Sequence, residues 1–532
     1  MAASSSSSTE RGGASSPSPH SAAVHLVVIL HGLFGSPKHV AYLASALERE
    51  AAAQLEHRSD DEAGRKLVVL VAQSSGLSSA HLYDGIDVCA ARVVEEVDAE
   101  VERIEQDGAQ VERFSMVGYS LGGLVARYAV GLLDSRTPSF FDSARPTSFT
   151  TFASPAIGVP VYPDSRFSRF ARAVGSTLLS RTGRQLYERD VYLPLGEEVE
   201  DAQAGRGRAG KEKRRGDPLL KVMADPRYSF YRALAKFERF DLFANTVNDR
   251  TVPFPTGGIE AHDPFAKALH KAKELARERD DDPDAALDLR EGGFDLVLDD
   301  GVPIVRVSRA VPAPSSSSAK PRQRRLPRVR LPFILRPSTF PLPKPLALVF
   351  IATLPIVYPL ALIALVSRSL LQIPQSGRRI RRARLKVGGG RDGWLARVGL
   401  SVEEMVEVLQ APPLGEAHVA DEHGDEREDE PPGTTSSASS SAALLDDDDA
   451  DAPGPLSRTS APASAAAPTD PTLSVSQLEQ VEHLNSLPNL HKHYVHLIDT
   501  VWAHGAIICR NPKHPAQSRT EVVDWWARRF ER

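Results

Sequence analysis

The stretch Arg113-Phe114-Ser115-Met116-Val117-Gly118-Tyr119-Ser120-Leu121-Gly122-Gly123 decides the fold. Its first half is short and largely apolar, as a buried strand is. The apolar run that follows, to Leu133, reads as a helix. Gly118-x-Ser120-x-Gly122 then falls on the turn between them. A serine on a sharp strand-to-helix turn projects its hydroxyl from the sheet edge. Glycines two before and two after leave room for the tight backbone. Upstream, Val24 to Leu30 is a nearly continuous β-branched run, the signature of a strand covered on both faces. It is broken by His31-Gly32-Leu33-Phe34-Gly35-Ser36 and followed by an amphipathic stretch from about Lys38 to Leu55. Leu67 to Val71 reads as a second strand, and Gly85 to Gln106 has helical spacing at Val88, Ala91, Val94, Val97 and Val101. Ser148 to Phe152 and Phe240 to Ala244 are further strands, and Ile304 to Val307 is one more short candidate. Strands alternating with helices at this spacing predict an α/β fold with a mostly parallel sheet.

Composition bounds the rest. The chain has 532 residues with 64 Lys and Arg against 69 Asp and Glu, a formal charge of −5, so the whole is not a nucleic-acid polycation. Two cysteines, Cys89 and Cys509, exclude a disulfide scaffold and a multi-cysteine zinc site. A hydrophobic share of 41% excludes wholesale disorder and a polytopic membrane protein. Residues 1–22 read as a Ser/Ala/Gly/Pro tail without the charged and apolar regions of a signal peptide, so the cytosol is the expected compartment. Glu197 to Arg215 reads as a charged solvated loop, and 258–300 as charged and partly helical. Residues 345–366 carry no charge, while 320–344 and 368–391 each carry eight Lys or Arg and no acid. Residues 416–451 hold thirteen carboxylates against one Arg, within an acidic, Pro/Ser/Ala-rich linker expected over 411–471. Order is expected to resume near Leu473 and to end in an amphipathic helix carrying Val522, Trp525, Trp526 and Phe530.

The blocks His31-Gly32-Leu33-Phe34-Gly35, Gly118 to Gly123 and Phe152-Ala153-Ser154-Pro155 together resemble the DUF676 family of serine esterases, of α/β-hydrolase fold. Thr182-Gly183-Arg184-Gln185-Leu186 and Asn245 to Pro253 look like later blocks of the same family. The resemblance covers about Val24 to Pro255 and the last 40 or so residues, and is nearest to fungal phospholipases and monoacylglycerol lipases, some on lipid droplets. It implies Ser120 as nucleophile, with the backbone amides of Leu33 and Leu121 holding an oxyanion. Asp249, just past a predicted strand, fits the orienting acid, with Asp241 and Asp263 as weaker candidates. The base is less determined by the residues. His262 follows Asp249 by 13 positions, while His504 lies in a segment that looks like the family's C-terminal histidine block, and the resemblance favours it. His493 and His496 read as helix-surface or packing residues.

A run of 22 apolar residues spans about 33 Å as a helix, enough for one bilayer crossing. A single crossing would separate Ser120 and Asp249 from His504. A proline-bent hairpin entering and leaving one leaflet, as on a lipid droplet, would keep them together. The expected organisation is therefore a tail over 1–22, a hydrolase domain over 23–310 with a cap at 155–235, a basic-flanked anchor over 320–391, the linker, and 473–532 returning the catalytic histidine. The expected activity is hydrolysis of lipid carboxylic esters without metal or cofactor, at the cytoplasmic face of a membrane, lipid droplet or endoplasmic reticulum, with no nucleic-acid partner. A thioesterase or soluble-ester hydrolase, and an inactive lipid-surface adaptor, are the alternatives.

Overall fold

The computed structural model describes residues 22–55, 65–73, 81–160, 166–192, 216–266, 295–299, 302–308, scattered positions from 353 to 367, 369–380, and 473–530 except 499, 501 and 515. By contacts the chain divides into one unit of residues 1–400 with 470–532 and a second, Ser401–Thr469, which lies outside the described residues. The charged insert, both basic flanks in large part, and the acidic linker also lie outside them.

Eight strands form one sheet in the order β2-β1-β3-β4-β5-β8-β7-β6. They are β1 (Ala22–Leu30), β2 (Arg65–Val71), β3 (Ala109–Tyr119), β4 (Arg145–Phe152), β5 (Arg239–Asn245), β6 (Asp295–Asp299), β7 (Val302–Ser308) and β8 (Leu490–Val495). The first five strands and β8 run parallel; β7 is antiparallel to β8, and β6 pairs antiparallel with β7. This is the α/β-hydrolase-like architecture. Asp295–Asp299, at the end of the charged stretch, is a strand, because the β7 edge supplies a pairing partner that local composition cannot reveal.

Helices cover both faces, which explains the nearly continuous apolar character of β1. Leu26, Val28 and Leu30 face α2 (Ile86–Gln106) and α3 (Leu121–Asp134), while Val27 and Ile29 face α1 (Ala41–Leu55) and a helix at the far end of the chain, Glu521–Arg529. Alternate side chains enter opposite cores, so both parities are largely apolar, and the one buried polar side chain of β1, His25, is paired with Ser115 Oγ at 2.8 Å. The C-terminal helix seals its face with Trp526, edge-on to Phe152 at 5.3 Å, and Phe530, stacked on His25 at 5.7 Å.

The region expected as a cap holds, among the described residues, α4 (Arg166–Leu178), α5 (Ser180–Leu186), α6 (Leu219–Ala224) and α7 (Ser229–Lys236). Part of it caps α2. Gly85, the N-cap, has no side chain to accept the first amides of that helix. Thr182 Oγ1 accepts from the Gly85 amide at 3.0 Å and Gln185 Oε1 from Ile86 at 2.6 Å. The buried Asp87 carboxylate is in turn held by Arg181 and Gln185. The Thr182-Gly183-Arg184-Gln185-Leu186 block is therefore an external cap for the helix beside it.

Candidate active site

In a parallel sheet every strand ends at one edge, and there the loops after β1, β3, β5 and β8 meet. Ser120 follows Tyr119, the last residue of β3, and adopts φ 55 and ψ −128 before α3 begins at Leu121. A positive φ on a residue with a β-carbon is uncommon and costs energy, and it lifts the hydroxyl clear of the sheet. The turn is pinned by the Ser120 amide donating to Phe152 O at 2.9 Å. Gly32 must be glycine because the turn leaves no room: a β-carbon there would lie 2.6 Å from Ser120 Cβ. Gly122 similarly faces the Leu30 and His31 carbonyls, 2.7 and 2.6 Å from where its β-carbon would be. Gly118, on β3, precedes the turn by two residues. The amide of Leu121, the first residue of α3, has no acceptor within its own helix. Leu33 lies one residue past Gly32 in the abutting loop.

The Ser120 hydroxyl lies 3.1 Å from His504 Nε2, and His504 Nδ1 lies 2.9 Å from Asp249 Oδ2. A carboxylate only accepts, so Nδ1 carries the proton and Nε2 is free to accept from the serine. The histidine that meets Ser120 comes from a position 384 residues away in sequence. His262 is exposed, and no described hydrogen bond joins it to Ser120 or Asp249.

Asp249 is an acceptor held on both oxygens. Asn245 Nδ2 donates to Oδ2, and the amides of Thr251 and Val252 donate to Oδ1, each at 2.9 Å. Burial would push this carboxyl up; the hydrogen bond from His504, its charge, the Val252 amide and Asn245 outweigh that and hold it below its ordinary value. The carboxylate therefore stays ionised beside the imidazole. Asp241 and Asp263 sit elsewhere. Asp241 binds His493 at 2.7 Å and Arg239 at 2.6 Å, and Asp263 accepts from the amides of Phe265 and Ala266. His493 lies on strand β8 rather than on a helix surface, stacked on Phe243, and His496 is bound to Thr246 Oγ1 at 2.8 Å. Among the described residues no group of three His, Cys, Asp or Glu is placed to hold a metal ion.

Three supporting residues carried no role in the sequence reading. The Tyr119 hydroxyl donates to the His504 carbonyl at 3.0 Å, and its ring lies 5.1 Å from the imidazole. Asn245 orients Asp249. Asn248, with φ 61, donates to the Leu497 carbonyl at 2.9 Å and so ties the loop carrying Asp249 to the segment that leads to His504. The signal for the two asparagines was the polar density of Asn245-Thr246-Val247-Asn248-Asp249 at a strand end. Tyr119 had none, because the variable position of Gly-x-Ser-x-Gly says nothing of what it faces.

Residues 20–263 match the family described as "Putative serine esterase (DUF676)". A protein named a putative lipase in Schizosaccharomyces pombe is 35% identical over 147 residues, 27% of this chain and 16% of that relative. One of the same description in Saccharomyces cerevisiae is 26% identical over 268 residues, 49% of this chain and 35% of the relative. The chain thus spans from about a sixth to about a third of the length of these curated relatives. A solved extracellular α/β-hydrolase from a Paenibacillus species aligns at 16% identity with a TM-score of 0.23, over 44% of this chain and 82% of that one.

Proposed function

We propose that this chain, whose residues 20–263 match the DUF676 family, hydrolyses carboxylic esters of lipids through an acyl-enzyme at Ser120. The observation that supports this best is the unbroken line of hydrogen bonds from Ser120 through His504 to the ionised Asp249. Ser120 Oγ attacks the ester carbonyl carbon while His504 Nε2 takes its proton. Asp249 stabilises the resulting imidazolium. The amides of Leu33 and Leu121 hold the oxyanion. Collapse breaks the bond to the alcohol, which leaves with the proton from His504. Water, activated by the same imidazole, then attacks the acyl-serine and regenerates the hydroxyl. No metal or cofactor enters these steps. Lipid rather than soluble esters are favoured by the fungal relatives named as lipases and by the charge-free run at 345–366. In this reading 23–310 and 473–532 are one catalytic domain, 155–235 shapes the entry for an acyl chain, and the enzyme works at the cytoplasmic face of a membrane, lipid droplet or endoplasmic reticulum. Glycerophospholipids and monoacylglycerols are the first substrates to try.

The test compares wild type, Ser120→Ala, His504→Ala and His262→Ala for fluorophosphonate labelling and for release of fatty acid from phospholipid and monoacylglycerol. Ser120→Ala should not label. His504→Ala should lose at least about 10³-fold in kcat. His262→Ala should match wild type. Equal labelling of Ser120→Ala, or no labelling of wild type, would overturn the mechanism, and release from soluble esters alone would overturn the substrate class.

A further inference from the structure

The described positions between 353 and 380 are all helical, and their polarity is inverted. The inward side of this segment is formed by Ser369, Ser376 and Ile380, all buried. Outward stand Leu360 and Ile363, each 61% exposed, Leu370 at 57% and Leu371 at 66%. A helix of a water-soluble domain does the reverse, turning leucines to its core and serines to solvent.

The inner side is fastened by a polar clip. Asp84, fully buried, receives the Arg379 guanidinium at 2.9 Å, Arg92 at 2.7 Å and the Ser376 hydroxyl at 2.7 Å. Ser376 also lies 3.0 Å from the Tyr83 carbonyl, and Ser369 Oγ lies 3.3 Å from the Tyr83 hydroxyl. Ile380 packs on Val88. Burial raises the Asp84 carboxyl, but His81, Arg379, Ser376 and Arg92 together hold it well below its ordinary value, so the clip stays charged.

The clip's location follows from topology. Helix α2 ends at Gln106, three residues before β3 starts, so its other end, preceded by Asp84, lies at the edge where the strands finish. Ser120 and His504 occupy that same edge. Two more apolar side chains flank the catalytic residues in sequence and stand exposed: Phe34 at 52%, two beyond Gly32, and Trp502 at 46%, two before His504.

We propose that the outward face of this helix, with Phe34 and Trp502, docks the protein on an anionic phospholipid surface, with the active-site edge of the sheet turned toward the lipid. Charge complementarity selects lipid over a protein groove, since the segments on either side of 345–366 carry eight Lys or Arg each and no acid. Aromatic side chains at the rim suit the headgroup level. The consequence for catalysis rests on the reading of Ser120 as the nucleophile of a lipid esterase; the docking itself does not.

Flotation of the full chain with phosphatidylcholine vesicles, with and without about one-third phosphatidylserine, tests it. Wild type should float with the anionic vesicles, less so at high salt. Leu360→Asp with Leu371→Asp, at exposed positions, should lower partitioning by about a hundredfold, taking about tenfold per leucine. Hydrolysis of a short-chain soluble ester should stay at the wild-type rate while hydrolysis of vesicle lipid falls. Arg378→Glu with Arg382→Glu should remove most of the preference for anionic vesicles. Equal flotation of wild type and the leucine variant would overturn the proposal. So would a wild type that floats with neither vesicle, or a leucine variant that changes only the oligomeric state. Flotation without ester hydrolysis would instead remove the esterase reading and leave the docking surface standing.

Discussion

At the scale of single residues, the candidate site is governed by what surrounds the triad. Asp249 is useful as an acid partner because Asn245 and two amides fix its oxygens, leaving His504 a single geometry in which to donate. Tyr119 does the corresponding work for His504. It is one peptide bond from Ser120 and hydrogen-bonded to the His504 backbone, so it registers the two against each other. Burial pushes its phenol well above the ordinary value, so it remains a donor throughout the working range. Tyr119→Phe keeps the ring on the imidazole and removes one neutral hydrogen bond, a loss of ~1 kcal/mol. The expected outcome is a fall in kcat of about fivefold with KM unchanged, read on a soluble ester. A matching fall in thermal stability with kcat intact would make the tyrosine structural only.

At the scale of elements, pattern and environment agree where a strand is buried on both faces. The runs at 24–30, 67–71, 113–117, 148–152 and 240–244 all lie within observed strands, because a strand covered on both faces is largely apolar and pairs the polar groups it buries, as His25 with Ser115 at 2.8 Å and Asp241 with His493 at 2.7 Å. Strand β8, Leu490-His491-Lys492-His493-Tyr494-Val495, was not legible: three of its six residues are basic or imidazole side chains, two of them with partners elsewhere. His493 reaches Asp241, and Lys492 reaches Glu260 at 2.7 Å. Those partners lie more than 200 residues away, so no local window contains the reason for the strand. The C-terminal helix was legible from its aromatic spacing, but not the face it would seal. Its Trp526 is buried against Phe152 and donates to Thr150 Oγ1 at 3.3 Å. Trp526→Ala should cost about 3–5 kcal/mol of unfolding free energy. Chemical denaturation monitored by circular dichroism measures this, and a loss below ~1 kcal/mol would show that the helix contributes little to the core.

At the scale of the molecule, the described residues make one sheet from two widely separated stretches of chain. β8 is inserted between β5 and β7, and the C-terminal helix closes the core beside β1. Such an arrangement depends on packing rather than on covalent continuity. A protease site engineered between Ser401 and Thr469, the stretch set apart by contacts, should be cuttable without loss of function. After cleavage the two pieces should co-elute on size exclusion and keep fluorophosphonate labelling at Ser120. Separation of the pieces without denaturant would show that the linkage itself holds the strand in place. Among the described residues no helix is long and apolar enough to cross a membrane. Most of 345–366, where the hairpin is expected, lies outside the described residues.

The sequence alone determined the elements whose reason is local. These are the buried parallel strands, the helices between them, and the strained Gly-x-Ser-x-Gly turn, where only small neighbours permit the backbone. It also marked Asp249 and His504, the latter by family resemblance rather than by any property of the segment around it. Only the tertiary structure decided which histidine meets the serine, because proximity across 384 residues is a property of strand order and not of spacing. It also decided what Tyr119, Asn245 and Asp84 hold. Tyr119 and Asp84 act on groups far away in sequence, through a hydrogen bond or ion pair that exists only once the sheet has brought the two together, while Asn245 reaches Asp249, four residues on, across the turn after β5.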